Sequence, residues 1–536
     1  MNENIKKTIR YTMFVLILVM LIMPNMSIVV KADSRSDFEI QDGVLVKYVG
    51  KGKSVVIPDG VTEISEKAFM YCNTITSVTI PNGVILIGEM AFFSCENMTS
   101  ISLPDGLTSI GAEAFAVCVS LKNVTIPQGI TEISDMLFSG CERLTSISIP
   151  NSATRIGAYT FSGCEMIKSI HLPNSVSEID GAAFEHCYKL ASINIPDKVT
   201  IINEGTFAHC ISLTHIDIPD DVTEIGEDSF LSCKKLKEIQ IPDGVTYIGK
   251  GAFYGCEVLT TVNIPDGITT IREDTFDGCF LLSSISIPDS VTDIKANAFF
   301  ACNLESIIIP NHVKTIGPLA FGYNEFTSVK IPNSVTSIGM EAFTCCLKLK
   351  TVYIPDSVKS IGRNAFNWCS NLTKITINNP WCELFVYKFD NILCYQTLEG
   401  LPQKVKIYGY KGSTANELST LLNMSFVKLD KTEMDYPELK DKLVPKIIGL
   451  KNSYTISKGK TINIAYTIEN AGDLKLKVTG GKEYYKIADG LYEEILVAKI
   501  IKVTDKYVTI KGVEKGKATI TIRVGAILKK VTITLK

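Results

Sequence analysis

The segment Val61–Pro81 reads VTEISEKAFMYCNTITSVTIP, and the chain returns to this pattern through most of its 536 residues. A proline ends every copy. The prolines lie 23 residues apart from Pro58 to Pro288, and three more follow after steps of 22, 22 and 23 residues, the last being Pro355. The sequence therefore contains 14 copies of one repeat.

Two positions of the repeat never vary. The sixth residue after each proline is Ile in all 14 copies, from Ile64 to Ile361, and the eleventh is Phe, from Phe69 to Phe366. Before each proline, Leu-x-x-Ile-x-Ile alternates apolar and polar residues, which predicts a short strand with one buried face. Proline has no N–H to give to a ladder and so ends the strand. The Val-x-x-Ile-Gly segment that follows is predicted to be extended, and Gly-x-x-Ala-Phe to be a tight turn that directs Phe inward.

These segments predict a solenoid, because one repeat cannot bury its own apolar side chains whereas stacked copies can. A period of about 20 to 29 residues with this strand signal is typical of leucine-rich repeats. The predicted fold class is a leucine-rich repeat solenoid, mostly β and irregular, in which parallel β strands alternate with short turns. We expect a right-handed arc from about Gly43 to Phe426, with the Ile and Phe positions buried throughout.

The first 32 residues have the pattern of a secretory signal peptide. Lys6, Lys7 and Arg10 precede the apolar stretch Met13–Met23, and Val30–Ala32 provides a small-x-small cleavage site. The alternative is an uncleaved anchor, but the apolar run is shorter than the ~20 residues that a membrane span needs. The predicted location is therefore secreted or cell-surface, after cleavage near Ala32.

Residues 33–57 are predicted to form an N-terminal capping hairpin. Gly43–Val49 and Ser54–Ile57 have strand character and flank the glycine-containing segment Gly50–Lys53. A solenoid needs a terminal unit that covers its first core layer. The repeat array then occupies residues 58–377, and residues 378–430 are expected to cap its other end.

The repeat pattern Ile-Pro-x-x-Val-x-x-Ile-Gly-x-x-Ala-Phe-x-x-Cys-x-x-Leu resembles the bacterial BspA-like (Treponema-type) leucine-rich repeats over residues 33–430. Lys406–Ala415 and Met424–Val427 are similar to the segment that closes such arrays. The resemblance implies a secreted or surface-exposed protein that binds other macromolecules, with adhesion as the usual role. It supplies no catalytic residues, and the chain is predicted not to be an enzyme.

Residues 431–443 are charged, lack periodicity and are predicted to be a linker. From Val444 the pattern changes to longer alternating strands with glycine turns, which favours an all-β sandwich. Lys458–Thr461 and Gly512–Thr519 resemble the bacterial Ig-like (group 2) domain, so residues 444–536 are predicted to be a small Ig-like sandwich.

Charge is unevenly distributed, although the whole chain has a formal net charge of −3. Residues 444–536 carry 18 Lys and Arg against 8 Asp and Glu, which leaves 36 against 49 in the rest. We expect the basic C-terminal domain to contact an anionic cell-wall polymer rather than nucleic acid, because the protein is predicted to be exported.

Cysteine recurs fourteen residues after the prolines, and one asparagine replaces it. Equivalent side chains in a stack point the same way, whereas a disulfide needs two Cβ atoms directed at each other. These positions are therefore predicted to form a buried, reduced ladder. The ladder residues are Cys72, Cys95, Cys118, Cys141, Cys164, Cys187, Cys210, Cys233, Cys256, Cys279, Cys302, Asn324, Cys346 and Cys369. For Cys382 and Cys394, a disulfide and two thiols both stay open.

Two further patterns suggest chemistry. His186-Cys187 and His209-Cys210 lie one repeat apart and could bind zinc, but cysteines that point inward and histidines that point outward are favoured. Ser192, His215 and Glu238 fall in one column of the sheet, as a hydrolase triad would require. A sheet surface offers neither pocket nor oxyanion hole, so catalysis is disfavoured. No cofactor is predicted.

The candidate partner site is on the exposed, concave face of the strands that precede the prolines. Most of its positions are Ser or Thr, but larger hydrogen-bonding groups interrupt them midway. The site residues are His171, Asn194, His215, Asp217, Glu238, Gln240 and Asn263. No aromatic side chain joins this column until Tyr353, so a protein partner is favoured over a glycan. The alternative function is a structural or spacer protein of the envelope with no dedicated ligand.

Overall fold

The computed structural model describes residues 35–380, 382–384, 387–389, 392–394, 402, 404–411 and 413–429, together with eleven strands between residues 446 and 535. The predicted signal peptide and linker lie outside these residues. Two compact units divide the chain, Met1–Asp221 (unit 1) and Val222–Lys536 (unit 2). No helix in the described ranges has the length and apolar composition of a membrane span.

The described residues of unit 1 contain sixteen short strands after a 3-10 turn at Arg35–Asp37. The strands are β1 (Phe38–Gln41), β2 (Val44–Tyr48), β3 (Ser54–Val56), β4 (Glu63–Ile64), β5 (Ser77–Thr79), β6 (Leu86–Ile87), β7 (Ser100–Ser102), β8 (Ser109–Ile110), β9 (Asn123–Thr125), β10 (Glu132–Ile133), β11 (Ser146–Ser148), β12 (Arg155–Ile156), β13 (Ser169–Ile170), β14 (Glu178–Ile179), β15 (Ser192–Ile193) and β16 (Ile201–Ile202).

These strands form two ladders. From β3 to β15 the odd-numbered strands end just before the prolines, and they pair in parallel within the groups β3–β11 and β13–β15. From β4 on, the even-numbered strands follow the prolines, and together with β2 they make the second ladder. Each residue pairs with its equivalent one repeat later, as Ser54 does with Ser77 and Glu63 with Leu86. The predicted parallel-strand solenoid is confirmed. The Val-x-x-Ile-Gly segment after each proline, for which the sequence predicts only an extended backbone, forms the second ladder.

The N-terminal hairpin differs from the prediction. Val44–Tyr48 pairs antiparallel with Phe38–Gln41 rather than with Ser54–Val56, which joins the parallel ladder instead. The hairpin turn is Asp42-Gly43, with φ values of 48° and 83°. Two-residue turns of this kind need positive φ at both positions, and Asp-Gly provides it. The array therefore begins at β2, before the first proline of the repeat series.

Stacked phenylalanine rings form the core of unit 1. Phe69 to Phe207, one from each repeat, are fully buried and lie nearly parallel, with ring centroids 4.7 to 5.8 Å apart. Tyr48 continues the stack 5.0 Å from Phe69, and Phe38 lies 5.3 Å beyond it. The hairpin strands thus cover the last ring of the stack, as a solenoid cap must.

In the described residues of unit 2, the same two kinds of strand recur, together with one helix and an antiparallel pair of strands, Tyr387–Phe389 and Ile392–Cys394. Its elements up to residue 429 are β17 (Glu224–Ile225), β18 (Glu238–Ile239), β19 (Tyr247–Ile248), β20 (Thr261–Val262), β21 (Thr270–Ile271), β22 (Asp293–Ile294), β23 (Thr315–Ile316), β24 (Ser328–Lys330), β25 (Ser337–Ile338), β26 (Thr351–Ile354), β27 (Ser360–Ile361), β28 (Lys374–Ile377), β29 (Glu383–Leu384), β30 (Tyr387–Phe389), β31 (Ile392–Cys394), β32 (Lys406–Gly409), α1 (Thr414–Leu421) and β33 (Ser425–Lys428).

The core of unit 2 is a second phenylalanine stack, from Phe230 to Phe366, with centroids 5.4 to 5.5 Å apart. Its closing segment contains a helix that the sequence did not predict. Ser413 caps α1 by accepting a hydrogen bond from the Asn416 N–H at 3.3 Å. The helix connects β32 and β33, which add two parallel strands to the ladder before the prolines.

Each of the 14 repeats has two residues in the left-handed backbone region. They lie nine and thirteen residues after the proline, as Lys67 (φ 59°) and Tyr71 (φ 60°) do after Pro58. Glycine occupies only 6 of these 28 positions, so most of the tight turns are made by residues that disfavour this conformation. Stacking of the repeats therefore fixes the geometry of these turns, at a local cost in backbone strain.

The C-terminal strands are β34 (Lys446–Ile448), β35 (Ser453–Ile456), β36 (Thr461–Ala465), β37 (Thr467–Glu469), β38 (Leu476–Gly480), β39 (Lys482–Ala488), β40 (Leu491–Leu496), β41 (Ala498–Val503), β42 (Tyr507–Gly512), β43 (Gly516–Val524) and β44 (Ile527–Leu535). Their backbones pair mainly antiparallel, in sheets of two to four strands. This segment is β, as the alternation predicts, and the Ig-like sandwich stays a prediction.

Candidate functional site

The cysteine slot lies inside the solenoid, and its side chains bind backbone. Cys95 donates from Sγ to the Phe69 carbonyl oxygen of the preceding repeat at 3.1 Å. The same bond, at 3.2 to 3.4 Å, is made by Cys118, Cys141, Cys164, Cys187, Cys210, Cys256, Cys279, Cys302, Cys346 and Cys369. These residues are thiols in the structure. From Cys95 on, the slot thus cross-links successive turns by hydrogen bonds and presents no chemistry to solvent, whereas Cys72 in the first repeat is half-buried.

Asn324 replaces cysteine after the first 22-residue step and makes more bonds. Its Nδ2 donates to the Phe299 carbonyl oxygen at 2.8 Å, and its Oδ1 accepts from the Leu304 N–H at 3.1 Å. The Cys394 side chain lies outside the described residues, so for Cys382 and Cys394 a disulfide and two thiols both stay open.

The two His-Cys pairs do not converge on one point. The rings of His186 and His209 stack 4.5 Å apart, while the thiols of Cys187 and Cys210 bind the Phe161 and Phe184 carbonyls. Cysteine points inward and histidine outward, so each pair is split between two faces. Among the described residues no group of three or more His, Cys, Asp or Glu could hold a metal ion.

His215 and Asp217 form the strongest polar feature that unit 1 exposes on the candidate face. His215 Nε2 lies 2.9 Å from Asp217 Oδ1, and the Asp217 side chain is 93% exposed. Because His215 pairs with an acid on its own segment, its geometry differs from that of the Ser192–His215–Glu238 triad that a hydrolase would need. No hydrogen bond joins Ser192 to His215 in the described part of unit 1.

His171 and Asn194 also fall on the face of unit 1, but only His171 is exposed. Asn194 Oδ1 accepts from the Leu172 N–H at 2.9 Å, and its Nδ2 donates to the Leu172 carbonyl oxygen at 2.8 Å. Elsewhere the corresponding N–H binds a backbone carbonyl, as Ile126 binds Ser148 at 3.2 Å. The Asn194 side-chain amide therefore replaces backbone hydrogen bonds of the ladder, and it stabilises the fold.

Unit 2 contributes three of the predicted residues, and the same distinction applies. Glu238 and Gln240 are exposed on and beside β18. Asn263 instead binds both the N–H and the carbonyl oxygen of Ile241, each at 2.7 Å. Two of the seven predicted residues thus serve the backbone, and five have exposed side chains.

A cleft between β7 and β9 is a feature of unit 1 that the sequence analysis missed. These strands pair only at Ser100 and Asn123, and beyond that point an opening of about 210 Å³ is lined by both polar and apolar groups. Ile101 and Leu103 are half-buried in it, although equivalent residues are mostly buried elsewhere. The repeat pattern is regular here, so the sequence carries no signal for the opening.

Strand ladders, stacked phenylalanines and a cysteine ladder together define the chain as a leucine-rich repeat solenoid. A leucine-rich repeat protein from Bacteroides ovatus is similar in structure. It shares 29% sequence identity with a TM-score of 0.53, over 68% of this chain and 87% of that one.

The chain belongs to the family described as BspA type leucine rich repeat region, whose profile matches residues 47–166, 85–213, 131–257, 200–327 and 292–411. A leucine rich cell surface protein from Faecalibacterium prausnitzii is 25% identical over 62% of this chain and 89% of that one, with a TM-score of 0.34. The T. pallidum leucine rich repeat protein is 31% identical over 42% and 89%, with a TM-score of 0.28. None of the curated proteins matches the chain.

Proposed function

We propose that this chain is an exported or cell-surface recognition protein that binds a protein partner through the exposed face of the strands preceding the prolines. The observation that carries the proposal is the exposed His215–Asp217 pair, which contributes nothing to the ladder around it. Family membership supports an interaction role, because concave or extended strand faces are what solenoids use for binding.

A protein partner suits the exposed groups of the face. His171, His215 and Asp217 on unit 1, and Glu238 and Gln240 on unit 2, offer negative charge together with amide and imidazole hydrogen bonding. Mixed polar groups of this kind give specificity at protein interfaces. The fold is typical of non-enzymatic repeat proteins, and no observation favours the hydrolase alternative.

Two pairs of substitutions test the binding face, one pair in each unit. His215→Ser with Asp217→Ser, and Glu238→Ser with Gln240→Ser, replace the larger polar groups by serine, which most repeats carry at the position of His215 and Glu238. Proteins retained by the immobilised wild-type chain from neighbouring-cell surface extracts would be purified and their affinities measured. We expect at least one pair to weaken binding by about tenfold, or roughly 1.4 kcal/mol.

Asn194→Ser is the matched control, because its side chain is on the same face but binds Leu172. It should lower stability and leave affinity unchanged. Unaltered affinity in both serine pairs would remove this face as the site, and would favour the alternative of a spacer without a dedicated ligand.

Export is the second part of the proposal and rests on the signal-peptide pattern of residues 1–32. Culture fractionation should find the protein in the medium or on the cell surface, with Asp33 as its first residue. The basic residues 444–536 would hold it to an anionic wall polymer. Release from isolated walls by salt should then be complete, because exposed charge pairs are screened at high ionic strength.

A further inference from the structure

The last strands of the ladder before the prolines carry an unusual set of side chains on their exposed side. In unit 2, β24, β26, β28, β32 and β33 form one parallel sheet. Its register places Lys330 beside Tyr353, and Lys374 beside Lys406. Tyr408 follows on β32. We call these five residues the lysine–tyrosine face.

Lys374 and Lys406 face each other on adjacent strands, which is unfavourable for stability because like charges directly opposite in a sheet repel. Both side chains are exposed, and no ion pair neutralises either one among the described residues. Lys374 Nζ lies 4.3 Å from the centre of the Tyr408 ring, a contact that positions its ammonium group. Equivalent slots in earlier repeats hold Ser328 and Thr351, so nothing in the repeat requires lysine here.

The two tyrosines add flat apolar surface to this positive charge. Tyr353 is 46% exposed, and its hydroxyl group contacts the Asn378 side-chain amide, which restrains the ring. Tyr408 is half-buried, and Thr376 lies between the two tyrosines in the register. A restrained aromatic ring gives contact area at low cost in side-chain entropy.

Acidic side chains are absent from the exposed strand positions of this sheet. Those positions hold Ser, Thr, Lys, Tyr and Val. The nearby acid Asp356 lies on the turn after β26. Burial, and then the charges of Tyr353 and Asp356, raise the pKa of Tyr410. From β24 to β32 the face spans three strand steps, or about 14 Å. A ligand must therefore be extended, anionic and able to cover aromatic rings.

We propose that the lysine–tyrosine face binds an acidic polysaccharide. Its carboxylate or sulfate groups pair with Lys330, Lys374 and Lys406 through charge-assisted hydrogen bonds. Its sugar rings lie against Tyr353 and Tyr408. This ligand differs in class from the protein partner proposed for the other face residues, and the two sites can be tested separately.

The test measures binding of polygalacturonate and dextran sulfate to the mature full-length chain at low ionic strength, with neutral dextran and poly-glutamate for comparison. Lys374→Gln with Lys406→Gln should weaken binding of at least one acidic polysaccharide by about tenfold. The urea midpoint should change little, because the variant loses both the like-charge contact and the favourable contact of Lys374 with the Tyr408 ring. Lys314→Gln with Lys359→Gln is the matched control, since both lysines are exposed on the turns after the prolines.

The rings are tested by Tyr353→Thr and Tyr353→Phe. We expect the Thr variant, which keeps every charge, to lose about fivefold in affinity, and the Phe variant, which keeps the ring but not the Asn378 contact, to lose less. Equal losses from both lysine pairs would show generic attraction and overturn the proposal. Poly-glutamate binding as tight as that of the polysaccharides, with no effect of Tyr353→Thr, would assign the face to an acidic protein and overturn it too.

Discussion

Cys95 hydrogen-bonds to Phe69 across a repeat boundary, with Sγ 3.1 Å from the carbonyl oxygen, although 26 residues separate them. The same oxygen also accepts from the Cys72 N–H at 3.0 Å, so both of its lone pairs are used. One buried carbonyl thus fixes the turn in its own repeat and binds the next repeat. Small hydrophobic side chains of similar size would fill the space but leave this second bond unmade.

Asn324 provides a direct test of this arrangement, because it is the one ladder position without cysteine. Asn324→Cys restores the repeat consensus but removes the acceptor of the buried Leu304 N–H. We expect it to lower the free energy of unfolding by about 1 to 3 kcal/mol, the cost of an unsatisfied buried donor. Urea denaturation would measure this, with Cys346→Ser in the next repeat as the comparison. A consensus variant more stable than wild type would contradict the bonding scheme.

Alkaline pH should destabilise the solenoid through its buried thiols. Burial raises the pKa of Cys141, Cys187 and Cys256 from 9.0 to about 12. Below pH 9 both states hold the proton and stability is complete. Between pH 9 and 12 the unfolded chain ionises while the folded one does not, so stability falls by about 1.4 kcal/mol per thiol for each pH unit.

The measurement is the unfolding free energy from urea titrations at pH 8 to 11. The double variant Cys141→Ala with Cys187→Ala should have a shallower slope of unfolding free energy against pH. The difference should correspond to close to two fewer protons released on unfolding. Phe184→Ala is the control, since it lowers stability without removing a thiol and should keep the wild-type slope. A slope that does not depend on the number of ladder cysteines would contradict this explanation.

The repeat made much of the fold predictable from sequence. A fixed period places equivalent residues in equivalent environments, so the constant Phe and Ile positions had to be the core, and their burial is confirmed. The predicted hairpin is wrong because it places the turn at Gly50–Lys53, whereas Val44–Tyr48 pairs with Phe38–Gln41. Asp42-Gly43, between two alternating segments, was the better two-residue turn signal.

The candidate site was less predictable, because exposure of a polar side chain depends on its neighbours. Asn194 and His171 occupy the same column and have similar polarity. Whether an amide faces solvent or replaces a ladder bond depends on the position of the Leu172 N–H, 22 residues earlier. The lysine–tyrosine face was missed because β32 belongs to the closing segment, where the proline spacing no longer identifies equivalent positions.

The phenylalanine stack should dominate the stability of each unit. Phe184 lies between Phe161 and Phe207, with ring centroids 5.5 and 5.7 Å away. Phe184→Ala should cost about 3 to 5 kcal/mol by leaving a cavity in a close-packed core. Ser192→Ala, on the exposed side of the same repeat, should change stability by less than about 0.5 kcal/mol. Similar losses from both in thermal or urea unfolding would contradict the assignment of faces.

Left-handed turn residues should be sites where glycine stabilises the chain. Val117 has φ 58°, a strained conformation for a β-branched residue, and the same slot one repeat later is Gly140 with φ 70°. Val117→Ala and Val117→Gly both remove the half-buried side chain, and they differ mainly in backbone strain. We expect the Gly variant to be more stable than the Ala variant by about 1 kcal/mol, although glycine normally costs that much in regular structure. Urea midpoints of the two variants measure the difference. At position 116, where φ is not positive, the comparison of Ala with Gly should have the opposite sign, so Ala116→Gly should lower stability. An Ala variant at position 117 that is the more stable one would contradict the strain.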